Sequence, residues 1–210
     1  MILLGVAYFL DGAGYIVAGT FLVAIVATMP GLADLGAGAW VLAGVAGAPS
    51  AVLWTRVGGR LGSVSALTLA YVLQAVGLAL PVISASALSA ALSAALFGGT
   101  FIDITSLTMA ETRRRVPPRL VARAIAALTA VFGLGQVLGP LLAAWLAGGE
   151  GDFRRALGAA SIAVLAGAVL TMAAGLVPKR RAGVAEGERP FYDGDGPEGP
   201  EAGAHELRAG

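Results

Sequence analysis

The chain has 210 residues, of which 57% are hydrophobic and 13% charged. Its mean hydropathy of +0.82 excludes an ordinary soluble domain, which carries roughly twice that charged fraction. Cysteine is absent and the net charge is +1, so disulfides, thiol nucleophiles and cysteine-held metal clusters are excluded and no partner class is favoured by charge.

The charges are unevenly spread, with none of Asp, Glu, Lys or Arg in residues 61–102 or 124–149. A membrane crossing needs about 20 apolar residues for a hydrocarbon core of about 30 Å. The first predicted helix covers 2–27; no Lys or Arg precedes it and it is too long for a signal-peptide core, so it reads as a mature span. The second covers 37–55. The uncharged run from 61 holds a third helix at 62–81 and most of a fourth at 86–110, with a turn marked by Pro81 and the serines after it. A fifth at 122–147 and a sixth at 155–177 complete a six-helix transmembrane domain over residues 1–178. From 179 to 210 the composition turns to Gly, Pro and acids, a pattern of disorder. The sole histidine, His205, lies in this tail as a solvated side chain.

Orientation follows from Lys and Arg, which accumulate in short cytoplasmic loops. Arg56 and Arg60 follow the second span, five arginines from Arg113 to Arg123 surround the loop after the fourth, and Lys179 to Arg181 follow the sixth. Against these ten stand only Arg154 and Arg155, beside Glu150 and Asp152. Both termini are therefore expected in the cytoplasm, with the chain in the cell membrane.

Polar residues at membrane depth are the site candidates. Asp11 falls in the middle third of the first span, where an ionised Asp costs about 2.5–3.5 kcal/mol to insert. It serves either as a protonatable carboxylate on a transport path or as a hydrogen-bonded structural group. Along the fourth span Ser86, Ser89, Ser93, Thr100, Asp103 and Ser106 step by three, four or seven, which makes one face polar and suits a water-filled cavity or a helix contact. Gln74 and Gln136 each need a partner. Gln136 sits among Gly133, Gly135, Gly139 and Pro140, and an interhelical hydrogen bond is the alternative to a transport role. Gly12, Gly14, Gly19, Gly44 and Gly47 likewise recur at spacings that suit close helix packing. Arg56 and Arg60 flank an expected tight turn at 57–59, where they serve as anchors or gating-loop residues.

No phosphate-binding Gly-Lys-Ser/Thr loop, paired-histidine metal signature or nucleophile with a membrane histidine is present. Enzymatic activity, a metal, a cofactor and nucleic-acid binding are accordingly not expected. No pore-loop or half-helix signature stands between the spans to suggest a channel.

Three segments carry a resemblance: Gly12 to Leu22, Leu96 to Phe101, and Leu128 to Pro140. They resemble the seventh, tenth and eleventh helices of the major facilitator superfamily, and within it the YbfB/YjiJ-like transporters, over about residues 1–178. Residues 56–62 resemble the superfamily's cytoplasmic loop motif loosely, without its Asp. The resemblance implies an all-α membrane protein, half of a major facilitator fold built from inverted 3+3 helix repeats, with a midplane cavity between two halves. Asp11 and Asp103 stand where that family's pattern is uncharged; they are particular to this chain or tolerated beside a cavity. Thr20, within the first matching segment, joins Asp11, Thr100, Asp103 and Gln136 as a candidate for the substrate or ion path.

The expected function is transport of a small solute by a secondary transporter of which this chain is one half. Its expected partners are the lipid bilayer, the solute, and an N-terminal half or a second copy. An uncharged start at the first helix is what a cut between halves leaves. The alternative is a non-transporting remnant or a membrane assembly partner.

Overall fold

The computed structural model describes residues 1–28, 36–147 and 153–177. Among them the regular structure is entirely helical: α1 (Ile2–Thr28), α2 (Gly36–Leu61), α3 (Ser63–Ile83), α4 (Ala87–Gly98), α5 (Phe101–Arg115), α6 (Val121–Ala147) and α7 (Phe153–Leu176), with one 3-10 turn at Pro118–Leu120. Six stretches are long and apolar enough to cross a membrane, α4 and α5 together forming one. With 12 and 15 residues, α4 and α5 are about 18 Å and 22 Å long, so neither crosses alone. The tail at 179–210 and the acidic residues Asp34, Glu150 and Asp152 lie outside the described residues.

Three boundaries differ from the sequence expectation. α2 is helical to Leu61, so Arg56 and Arg60 lie on its last turns and the expected turn at 57–59 does not form. The chain reverses instead at Gly62, whose φ of 84° is a left-handed conformation suited to glycine. α3 passes through Pro81 to Ile83. In lipid a proline forfeits one backbone hydrogen bond, whereas ending the helix there exposes several, so the helix continues. The reversal falls after Ser84, and Ser86 caps α4 by accepting from the Ser89 amide at 3.2 Å. The third difference is the break in the fourth span, between Gly98 and Phe101.

α1 packs on α6 and α7, α4–α5 packs on α2 and α3, and α3 packs on α7. Exchanging the first three spans with the last three maps this set of neighbours onto itself, the pattern expected of two three-helix repeats. Lipid offers no hydrophobic drive between helices, so the seams are made by small residues. On α6, Gly135, Gly139 and Ala143 are buried. A Cβ at Gly135 would overlap the Phe9 carbonyl of α1, and one at Gly12 the Phe132 carbonyl of α6. The opposite face of α6 presents Leu134, Val137, Leu141 and Trp145, all exposed. Large side chains point outward and small ones inward, the reverse of a water-soluble helix. Gly44 and Gly133 have no neighbour where a Cβ would stand, so the packing reading does not hold for them.

Arg154 donates to the carbonyl of Val82, at the C-terminal end of α3. A cation there is favoured by the helix dipole, which accounts for a basic residue at the otherwise charge-poor end.

Candidate functional site

The break between α4 and α5 organises the polar interior. Gly98 and Gly99 have low helix propensity, and a Cβ at Gly98 would collide with the Ala43 carbonyl of α2. Side chains take over the backbone groups that the break disturbs. Trp54 Nε1 of α2 donates to the Gly99 carbonyl at 2.6 Å, and Thr100 Oγ1 donates to the Leu96 carbonyl at 2.7 Å. Thr100 Oγ1 also lies 3.0 Å from Gln74 Oε1 on α3, and Gln74 Nε2 donates to Asp11 Oδ1 on α1 at 2.8 Å. Asp11, Gln74 and Thr100 are all buried. One chain of polar contacts thus joins three spans at the point where the fourth is discontinuous.

Two cavities flank α5. The first, about 390 Å³, lies between α2 and α5 and is lined by Trp54, Thr55, Ser63, Asp103, Ser106 and Arg114 among others. Asp103 belongs to the first turn of α5, the positive end of that helix's dipole, which suits a carboxylate. The second, about 240 Å³, lies between α1, α5 and α6 and is lined by Tyr15, Phe101, Thr105, Ser106, Phe132 and Gln136 with Ile102. Its wall is largely aromatic: Tyr15 stacks on Phe101 at 5.5 Å and lies tilted at 6.0 Å from Phe132 between centroids, and Phe101 in turn stacks on Phe97 at 5.2 Å. Ser106 lines both cavities.

Polar groups facing cavities, in a bundle with apolar outer faces, mark a candidate functional site at membrane depth. A family model described as "Uncharacterised MFS-type transporter YbfB" matches residues 1–177. The chain belongs to that family. Neither the curated proteins nor the solved structures contain a match. The family read from the three segments is thereby borne out, and the chain is a multi-pass membrane protein of a transporter family, helical throughout its described regular structure.

Within this member of the family, the residues singled out from sequence fall in different places. Asp11 and Thr100 join the buried chain, Asp103 lines the polar cavity, and Gln136, half-buried, lines the aromatic one. Thr20 is exposed and borders neither. Arg56 and Arg60 are exposed on α2 and line neither cavity. The polar stripe of the fourth span does not form one face. Across the break Thr100 turns toward α3, Asp103 toward α2, and Ser106 is exposed between the cavities.

Several partnerships were not legible in the sequence. Gln74 stood out as a residue needing a partner, but nothing local pointed to an aspartate 63 positions away. Trp54 lies in an apolar stretch of the second span, where nothing local marks it as a hydrogen-bond donor to another helix. At the arginine-rich end, Glu111 is buried and forms an ion pair with Arg115 at 2.7 Å, while its other oxygen accepts from Ser63. Arg115 Nη1 also donates to the Ala174 carbonyl near the end of α7, at 3.0 Å, so this cluster ties α3, α5 and α7 together. Among the described residues no group of His, Cys, Asp and Glu is arranged to hold a metal.

Proposed function

We propose that this chain is one six-helix half of a secondary transporter that moves a small solute across the cell membrane by alternating access. The observation that carries the reading is the pair of cavities sharing Ser106, set in a bundle whose α2 and α6 expose apolar faces. In this reading those faces meet an N-terminal half or a second copy, and the arginine-rich ends face the cytoplasm. Asp11 and Asp103 supply protonatable groups for coupling to a proton gradient, and Gln136 and Thr105 orient the solute against the aromatic wall.

Reconstituted vesicles test the proposal. The chain, alone and paired with an N-terminal half from the same family, is expected to show gradient-driven uptake of at least one metabolite from a broad panel. Uptake in neither case removes the transport reading and leaves a remnant or an assembly partner. If uptake keeps its pH dependence in an Asp11→Asn/Asp103→Asn variant, coupling through these carboxylates is wrong. Orientation is checked by single-cysteine labelling, which has no background because the chain lacks cysteine. Arg119→Cys is expected to react from the cytoplasmic side and Ser84→Cys from the other; the reverse pattern inverts the topology.

A further inference from the structure

The cavity between α2 and α5, about 390 Å³, lies within the roughly 300–1,000 Å³ of sites that take small organic molecules. Asp103 lines it and is only 2% exposed. Its Oδ2 makes no hydrogen bond within the protein. Ser50 stands beside the carboxylate, but a hydroxyl has one proton, and Ser50 donates to the Gly47 carbonyl at 2.7 Å. Leaving a buried carboxylate oxygen unsatisfied costs more than leaving a neutral group so. Asp103 thus places an unsatisfied carboxylate acceptor at the wall of this cavity.

The chemistry around it selects a ligand class. Trp54 lines the same cavity, and its indole is fixed by the 2.6 Å bond from Nε1 to the Gly99 carbonyl. An indole beside a carboxylate recognises an ammonium group, the ring by cation–π attraction and the carboxylate by charge-assisted hydrogen bonds. Arg114 also lines the cavity, but it lies eleven residues further along α5, about 16 Å up the axis. There its Nη1 lies 3.3 Å from Ser63 Oγ, in the cluster that contains Glu111. Among the described residues no other charged side chain lines the cavity, so at the Asp103 end the lining carries negative charge alone. A bare metal ion requires several oxygens converging at bonding distance, whereas Ala51, Trp54, Gly58 and Leu107 make up much of this wall.

Taking the chain as a transporter half, the geometry points to its solute class: Asp103 and Trp54 form a subsite for the ammonium group of a small organic amine. Proton and amine then compete for one carboxylate, which ties solute binding to protonation at a single residue. Asp11 already accepts from Gln74 in the closed interior and borders neither cavity.

The test is a binding measurement on the purified full chain in lipid nanodiscs, at constant ionic strength, read by tryptophan fluorescence and by thermal unfolding. Butylammonium is the probe, with butanol and butyrate as neutral and anionic controls. Saturable binding of butylammonium alone is expected, weakened about ten-fold or more in Asp103→Asn and about three-fold or more in Trp54→Phe. Asp103→Glu is expected to retain it. Ser106→Arg, at an exposed position on the cavity wall, places a guanidinium in the cavity and abolishes binding, and it serves should the Asn variant not fold. Equal binding of butanol, or parent-like binding in both Asp103→Asn and Ser106→Arg, overturns the inference. An Asp103-dependent signal from sodium chloride without amine assigns the site to an inorganic cation and also overturns it. Because binding needs no second half, amine binding without uptake counts against the transport reading alone. Uptake without amine binding counts against this inference alone.

Discussion

Replacing Gln74 by leucine tests whether Asp11 and Gln74 behave as one unit. Leucine keeps much of the volume but removes the donor to Asp11, 2.8 Å away, and the acceptor facing Thr100. Thr100 loses little, because its single proton is already directed to the Leu96 carbonyl at 2.7 Å. The loss falls on Asp11, left with an unsatisfied oxygen in a fully buried site at about 1–3 kcal/mol. Asp11→Leu alone orphans the Gln74 amide, at a similar cost. In the double variant both polar groups are gone, and the total is expected to fall short of the sum by about 1 kcal/mol, in the range measured for interhelical hydrogen bonds in membranes. Equilibrium unfolding of the purified chain by SDS in mixed micelles gives the four free energies. Additivity within about 0.5 kcal/mol refutes Asp11 and Gln74 as a coupled pair, and Thr100→Val should leave their coupling unchanged.

Three further expectations follow from the backbone. Gly98→Ala forces a methyl into the Ala43 carbonyl and should destabilise by about 2 kcal/mol or more, whereas Gly133→Ala, with open space at its Cβ, should stabilise slightly through helix propensity; thermal midpoints that move together contradict the assigned seams. Gly62→Ala puts a side chain at a φ of 84° and should cost about 1–2 kcal/mol, seen as earlier unfolding; an unchanged midpoint places the reversal elsewhere. Trp54→Phe removes the donor to the Gly99 carbonyl while keeping an aromatic ring, and should cost about 1–2 kcal/mol. Hydrogen exchange at the Thr100 and Ile104 amides should then accelerate, and an unaltered rate means that the indole does not hold the break.

Span number and type were legible because hydrocarbon is an uncompromising solvent: charge-free runs of sufficient length have few alternatives to helix. Which residues face one another was less so. The pair of glycines at 98 and 99 reads the same whether it brings helices together or divides one, and here it does both, which is why a continuous fourth helix was expected. Proline misled in the other direction, since Pro81 is a turn signal in water but lies inside α3. Asp11 and Asp103 were found as charges at depth, yet their environments differ for reasons that lie on other helices: Gln74 in one case, Trp54 and a cavity in the other. Thr20 was carried by a matching segment rather than by any polar neighbour, and it is exposed.

An unbroken helix passes a push along its own axis, each turn bonded to the next. At Gly99 that longitudinal route is interrupted, and the strongest bond to its carbonyl comes sideways, from the indole of α2. The fourth span is thus two short rods meeting at a joint whose pin belongs to a neighbouring helix. A rotation of α2 about its axis therefore acts directly on that joint, next to the first turn of α5, where Asp103 stands.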